Sequence, residues 1–309
     1  MPLHVAITGS TGLIGTAVTD ALHQAGHSLT PIIRSSTPVR TNKRVIRWKI
    51  LSGEIDRDKF EGHDVIIHLA GANIADQRWS KEYKREIQES RVKGTRLLCN
   101  AIVHMKRPPR LWLSASAVGY YGNIPLNEHR DETGPGADDF LARVCQEWEE
   151  ATKPAQSAGI RVVNLRFGMV VSPNGGAIKK MLPVFKLGLG GKLGSGQQSV
   201  SWIALDEIPK IILHIIDNAK IAGPVNVVAP KPVTNAELTQ LLGKALNRPA
   251  FLSVPEFAVK FMFGEMGQTL LLGNSNVIPA KLAHSGYQFA YPDIRKVLEN
   301  CINHSPLAH

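Results

Sequence analysis

The stretch Thr8-Gly9-Ser10-Thr11-Gly12-Leu13-Ile14-Gly15 sets three glycines three residues apart, a spacing suited to holding a pyrophosphate. Gly9 would allow a tight turn, Gly12 a close approach of backbone to phosphate, and Gly15 close packing of a following helix. The start of that helix turns unbonded N–H groups toward the anion. Turns also use glycine for their own sake, so context decides. Here a strand-like run, Leu3 to Thr8, precedes the trio, and helical spacing from Leu13 to Ala25 follows it and stops at Gly26. Dinucleotide binding is therefore expected.

Which dinucleotide depends on the end of the next strand, read at Ser28 to Ile33. An acidic residue about 20 positions beyond the trio would hold a free ribose 2′-hydroxyl, whereas an arginine would neutralise a 2′-phosphate. Arg34 stands there, and no acidic residue occurs between Asp20 and Glu54. Arg40, Lys43, Arg44 and Arg47 add to the positive stretch. NADP(H) is expected over NAD(H), against the plainer reading of a solvated basic loop. Further on, a helix read from about Lys81 to Met105 puts Tyr83, Ile87, Gly94, Leu98, Ala101, Ile102 and Met105 on one stripe, with Arg91 inside it. A guanidinium facing a sheet is costly unless it meets an anion. Two partners stay open: a structural carboxylate, or a cofactor phosphate or ribose that Glu86, at the stripe edge, helps to place.

Short strands near Val45–Trp48, Val65–Leu69, Leu111–Ser114 and Ile160–Leu165 alternate with the long helix and with one around Phe140–Ala158. That order predicts an α/β fold with a parallel sheet covered on both faces. After Arg166 glycine and proline cluster at Ser172–Gly176 and Gly188–Gly196, the mark of a second, less regular lobe. A helix at Asp206–Asp217, with Asp206 as its cap, and a strand at Val225–Val228 are read as returning to the sheet. The Gly188–Gly196 run is expected to be a flexible flap.

With 43% apolar and 20% charged residues in 309, the composition is that of an ordinary globular protein. The longest apolar runs fall far short of the roughly 18 residues that cross a bilayer, and no export leader is visible. Three distant cysteines, Cys99, Cys145 and Cys301, can build neither a disulfide framework nor a metal knuckle, so a reducing cytoplasm is expected. The net charge of +10 suits an anionic ligand. Only 6% of residues are aromatic, which with the lack of any zinc-finger or helix-turn-helix pattern argues against nucleic acid. No membrane partner is expected.

Several motifs together identify a family. The glycine loop, His68-Leu69-Ala70-Gly71, Ser114-Ala115-Ser116-Ala117-Val118-Gly119-Tyr120-Tyr121-Gly122, Arg166-Phe167-Gly168-Met169-Val170 and Gly194-Ser195-Gly196-Gln197-Gln198 resemble the extended short-chain dehydrogenase/reductases. Trp202-Ile203, Leu271-Leu272-Gly273 and Val277-Ile278-Pro279 resemble an atypical epimerase-family branch of them. The resemblance implies a Rossmann-type doubly wound sheet over residues 1–170, with returning segments near 203–230, and a smaller C-terminal substrate lobe over 171–309. It implies NADP(H) contacts from Gly9, Ser10, Thr11, Gly12, Leu13, Ile14, Gly15, Arg34, Leu69, Ala70, Glu86, Arg91 and Val170. Gly71 ends the strand motif at the carboxyl edge of the sheet, where ligands of open α/β folds lie.

Ordinary enzymes of that family use a serine, and a tyrosine four residues before a lysine that lowers its pKa. The five tyrosines, Tyr83, Tyr120, Tyr121, Tyr287 and Tyr291, are followed four later by Ile87, Ile124, Pro125, Tyr291 and Arg295. The motif is absent, and where it would align stand Phe140 and Val144, which cannot carry a proton. Ser116, Tyr120 and Tyr121 remain as candidates, more readily site-lining than a catalytic pair. Neither a P-loop nor a zinc site survives inspection, so no metal is expected. Two functions stay open: an NADP(H)-dependent oxidoreductase or epimerase-like protein acting on an unidentified small molecule, and a catalytically inactive NADP(H) sensor or scaffold. A homodimer is left open as well.

Overall fold

The computed structural model describes residues 1–38 and 44–303. Arg40 and Lys43 of the basic stretch, and positions 304–309 of the expected lobe, lie outside the described residues. The chain runs β1 (His4–Thr8), α1 (Leu13–Gln24), β2 (Ser28–Arg34), β3 (Ile46–Lys49), β4 (Glu54–Ile55), β5 (Val65–His68), α2 (Lys81–Val103), β6 (Leu111–Ala117), α3 (Phe140–Glu150), α4 (Lys153–Ser157) and β7 (Arg161–Phe167). It continues through β8 (Met169–Val171), α5 (Gly176–Lys186), β9 (Gly191–Leu193), β10 (Ser199–Val200), β11 (Trp202–Ala204), α6 (Ile208–Asp217) and β12 (Gly223–Val227). The described residues end with β13 (Val233–Thr234), α7 (Asn235–Ala245), β14 (Leu252–Val254), α8 (Glu256–Leu270), α9 (Ala280–His284) and α10 (Ile294–Asn303).

Among the described residues, eight strands form the main sheet in the order β12-β7-β6-β5-β1-β2-β3-β4. All its pairings are parallel except that of the edge strand β4 with β3. Strand order reverses at the β1/β5 junction, the switch point at which a doubly wound sheet opens a crevice for a ligand. Side chains alternate across the sheet as strand geometry requires. Val5, Ile7, Val65 and Ile67 join one core with Val18 and Leu22 of α1 and the isoleucines of α6. Ala6, Ile66, Trp112 and Val162 join another with Leu98 and Ile102 of α2 and Ala155 of α4. Both faces are thus covered, as the alternation of elements predicts, and the fold is Rossmann-type.

Some expectations change. The helix read as Phe140–Ala158 is two helices, because Pro154 lacks an N–H and opens the first turn of a new one. Asp206 does not cap α6; the helix follows a short 3-10 turn and its cap position is Glu207, without a side-chain cap. Gly223–Val227 and α6 do return to the sheet, whereas β11 pairs with β8 outside it. The Gly188–Gly196 run is not a loose flap: β9 pairs with β14, and the Gly194 N–H donates to the Val254 carbonyl. Beyond the sheet, Ile178, Leu182 and Phe185 of α5, Trp202, Leu238, Leu242, Val297 and Leu298 build a core of their own.

Candidate functional site

The glycine loop leaves the end of β1 and turns into α1. Gly9 has φ +68°, and a Cβ there would lie 3.0 Å from the Leu69 carbonyl, so this position demands glycine. At Gly15 a Cβ would sit 2.0 Å from the Gly9 oxygen, so α1 packs on the loop itself. Gly12 meets only that oxygen, at 3.3 Å, and leaves the outer side of the turn open. Gly12 is also the N-cap of α1 and contributes no side-chain bond, and no acidic residue lies in the first turn. The first-turn N–H groups, from Leu13 on, are therefore available to an outside anion.

The loop is anchored through Thr8, His68 and Thr95, to which the sequence reading gave no role. Leu69 N–H and Ala70 N–H donate to Thr8 Oγ1 at 3.0 and 3.1 Å. With both lone pairs so used, the Thr8 hydroxyl donates to His68 Nδ1 at 2.7 Å. His68 Nε2–H then donates to Thr95 Oγ1 of α2 at 3.1 Å. This order assigns the neutral tautomer, and burial, followed by the Arg91 charge, lowers the His68 pKa to about 3. β1, β5 and α2 are thus fixed to one another beneath Leu69–Gly71. The signal was a histidine in an otherwise apolar strand, opposite a threonine at the matching register.

Arg91 lies one turn beyond Ile87, half-buried, its guanidinium 5.0 Å from the Trp148 ring and against Gly71, where a Cβ would come within 3.3 Å of Cζ. Nη1 donates to the Ile87 carbonyl at 3.0 Å, and no carboxylate pairs with Arg91 among the described residues. Burial lowers its pKa. The expected stripe is buried, and Val92, Thr95, Leu97 and Cys99 join it because α3 and α4 also pack on α2. Glu86 is exposed and forms no hydrogen bond with Arg91. Arg34 ends β2 with its side chain exposed, while Arg47 is engaged in donating to the Ser35 and Thr37 carbonyls just beyond it. Ile14, Leu69 and Val170 pack on one core, and Leu13 meets Gly175, so the glycine loop, the β5 end and β8 converge. Ser10 and Thr11 complete the loop, Thr11 exposed.

The other half of the carboxyl edge is closed. Ser116 of β6 and Asn226 of β12 both stand in register with Arg166 of β7, so the three share one face. Arg166 grips Glu149 of α3 with two bonds, Nε–Oε1 and Nη2–Oε2, each 2.8 Å, with only 3% and 12% of the side chains exposed. Ser116 Oγ donates to the same carboxylate at 2.7 Å. Arg166 Nη1 donates to the Tyr121 hydroxyl, which donates to Asn226 Oδ1 at 2.8 Å. Tyr120 lies under the guanidinium, 3.5 Å from Cζ to ring centre. Burial pushes the Tyr121 phenol up to about 12. For Arg166, burial opposes the charge, but the Glu149 bonds outweigh it and raise the pKa. Phe140 and Val144 pack with Tyr83 and Ile87 in an apolar cluster. Glu149 and Arg166 went unnoticed as a pair. The clue was an arginine within Val162-Val163-Asn164-Leu165-Arg166, which needs an acid when buried.

The profile of the NAD dependent epimerase/dehydratase family covers residues 5–228. The chain belongs to this family. Within the NAD dependent epimerase/dehydratase family, its relatives include an epimerase family protein of Mycobacterium bovis, 41% identical over 95% of this chain and 96% of that protein. The human epimerase family protein SDR39U1 is 36% identical over 97% of this chain and all of its own length. A crystal structure of that human protein (isoform 2), determined with NADPH, superposes with a TM-score of 0.88 over 98% of this chain and 100% of that one. Residues 254–301 match a domain of unknown function, DUF1731. The resemblance read from the motifs is thereby borne out, C-terminal segment included.

Proposed function

We propose that the chain binds NADP(H) along the β1/β5 switch point and carries out hydride chemistry on a small carbonyl or hydroxyl compound without a tyrosine–lysine proton relay. The single observation behind this reading is Arg91, a half-buried guanidinium set against Gly71 that pairs with no carboxylate among the described residues. For Arg166, by contrast, the fold itself supplies the acid, Glu149. The Gly9–Gly15 backbone would hold the pyrophosphate, Arg34 the 2′-phosphate, and Leu69, Ala70, Gly71 and Val170 the wall along which the dinucleotide lies, with Glu86 at its rim. The NADPH in the human relative's structure supports the choice. When bound, the nicotinamide ring supplies or takes the hydride. The residues of the chain orient it and keep water away. In this reading residues 1–170 carry the nucleotide and 171–309 close over the substrate, which enters between Ser116–Tyr121 and the 194–202 segment. Asn274 links these two walls: it donates to the Ile124 carbonyl and accepts from Ser199 N–H.

Titration calorimetry on the purified protein tests the binding. NADPH should bind more tightly than NADH, and Arg34→Ala should reduce that preference about tenfold, the scale of one charge-assisted contact. Absence of heat with either NADPH or NADP⁺ would end this reading.

The closed network favours a second reading, an NADP(H)-dependent sensor or scaffold without turnover. Ser116 and Tyr121 both direct their protons inward, to Glu149 and Asn226, and neither is free to serve a substrate. Oxidation of NADPH by a panel of aldehydes and ketones, lost in Ser116→Ala or Tyr121→Phe, would reject this second reading. Tight NADPH binding without any hydride exchange would favour it over the first.

A further inference from the structure

Of the eleven large apolar side chains exposed among the described residues, eight fall in positions 184–189 and 251–262. These two stretches are neighbours. β9 and β14 pair with Leu252 opposite Gly191, and Gly188 lies against Pro249. α8 begins directly after β14, and Phe257 and Phe261, four residues apart, stand on the side of α8 away from its buried Val259. Phe251, Phe257 and Phe261 are 80%, 74% and 83% exposed. Isolated exposed leucines need no explanation, but a cluster of protruding phenylalanines marks an interaction surface.

The charge around the patch selects the occupant. Positions 184–193 and 244–262 carry Lys186, Lys192, Lys244, Arg248 and Lys260 against a single acid, Glu256. A second copy meeting this patch about a two-fold axis would set those cations against themselves. Side chains standing so far clear of the protein suit a deformable apolar medium better than a shaped groove. Aromatic and aliphatic side chains that dip into the acyl boundary, ringed by lysine and arginine, are the pattern of peripheral attachment to an anionic lipid surface.

We infer that the face formed by the 184–193 segment, β14 and the first turns of α8 seats the protein on an anionic membrane surface. No helix among the described residues is long and apolar enough to cross a bilayer, so the attachment is peripheral. It revises the expectation, drawn from the missing span, that the chain has no membrane partner. α8 also reaches the loop between β5 and α2: Arg78 Nη2 donates to the Phe261 carbonyl, and Lys84 pairs with Glu265. The seated face therefore adjoins the loop that leads from Gly71 to Arg91.

Co-sedimentation with vesicles tests this. The full chain should pellet with mixed phosphatidylcholine–phosphatidylglycerol vesicles at low salt and lose most of that binding at high salt or with phosphatidylcholine alone. Phe251→Ser with Phe257→Ser, and separately Lys244→Glu with Arg248→Glu, should each weaken partition about tenfold or more while NADPH binding by calorimetry stays unchanged. Failure of the parent protein to pellet with anionic vesicles would overturn the inference. So would undiminished binding in both double variants, or a dimer in sedimentation velocity that the phenylalanine variant dissolves.

Discussion

The two halves of the sheet's carboxyl edge handle their cations in opposite ways. At the β1–β2–β5 end, Arg34 and Arg91 pair with no carboxylate among the described residues, and no side chain caps the α1 N-terminus. At the β6–β7–β12 end, Arg166 has Glu149, Tyr121 and the Tyr120 ring, and the Ser116 and Tyr121 hydroxyls donate to Glu149 and Asn226. A buried ion is tolerated only when its partners are supplied, either by the fold or by a ligand. One half meets that demand with a paired acid, whereas in the other the Arg91 guanidinium has the Ile87 carbonyl and the Trp148 ring. Phe140 and Val144, where the family's tyrosine and lysine would align, lie in an apolar cluster with Tyr83 and Ile87.

The strongest way to break this contrast is Glu149→Ala. It strands Arg166 and should cost about 3–5 kcal/mol of folding stability, read from denaturant midpoints. A loss below about 1 kcal/mol, the worth of an exposed pair, would show the network to be loose.

Acid should act next, through His68. In the unfolded chain an imidazole titrates near 6.5, against about 3 in the fold. Between those values the unfolded state binds the extra proton, so stability is full above pH 6.5 and falls as pH drops, by about 1.4 kcal/mol per pH unit at most. Denaturation at pH 5 and 7.5 should show this loss in the parent protein and a smaller one in His68→Gln; equal losses would remove His68 from the account.

Arg91→Leu sharpens the contrast by its sign. NADPH affinity should fall about tenfold to a hundredfold, the worth of a hydrogen bond to a charged group, while the unfolding midpoint holds or rises. Destabilisation as large as that of Glu149→Ala would make the two halves alike.

The smallest effect belongs to Ser116→Ala, which removes one bond from a carboxylate that keeps both Arg166 bonds. It should cost about 1 kcal/mol, measured by thermal melting. A much larger loss would make the serine a cornerstone of the closed half.

Much of this was legible residue by residue. The glycine loop, the strand–helix alternation and the basic β2 end are local patterns, and periodicity and turn chemistry report local structure. Arg91 was reachable because one helix carried both the stripe and the exception. The break at Pro154 was missed because the apolar spacing continues across it, and the Gly188–Gly196 run was misjudged because glycine signals freedom of φ whether or not a distant strand removes it.

By itself the amino-acid order determined that a glycine-rich loop joins the first strand to the first helix and that no tyrosine stands four residues before a lysine. Those properties lie within a few consecutive residues, where backbone stereochemistry and side-chain type suffice. Only the folded chain decided that Glu149 meets Arg166, and that Tyr121 reaches Asn226, 105 positions away. Such pairs follow from sheet register and from the seating of α3 on β6 and β7, and these are set by burial summed over the whole core.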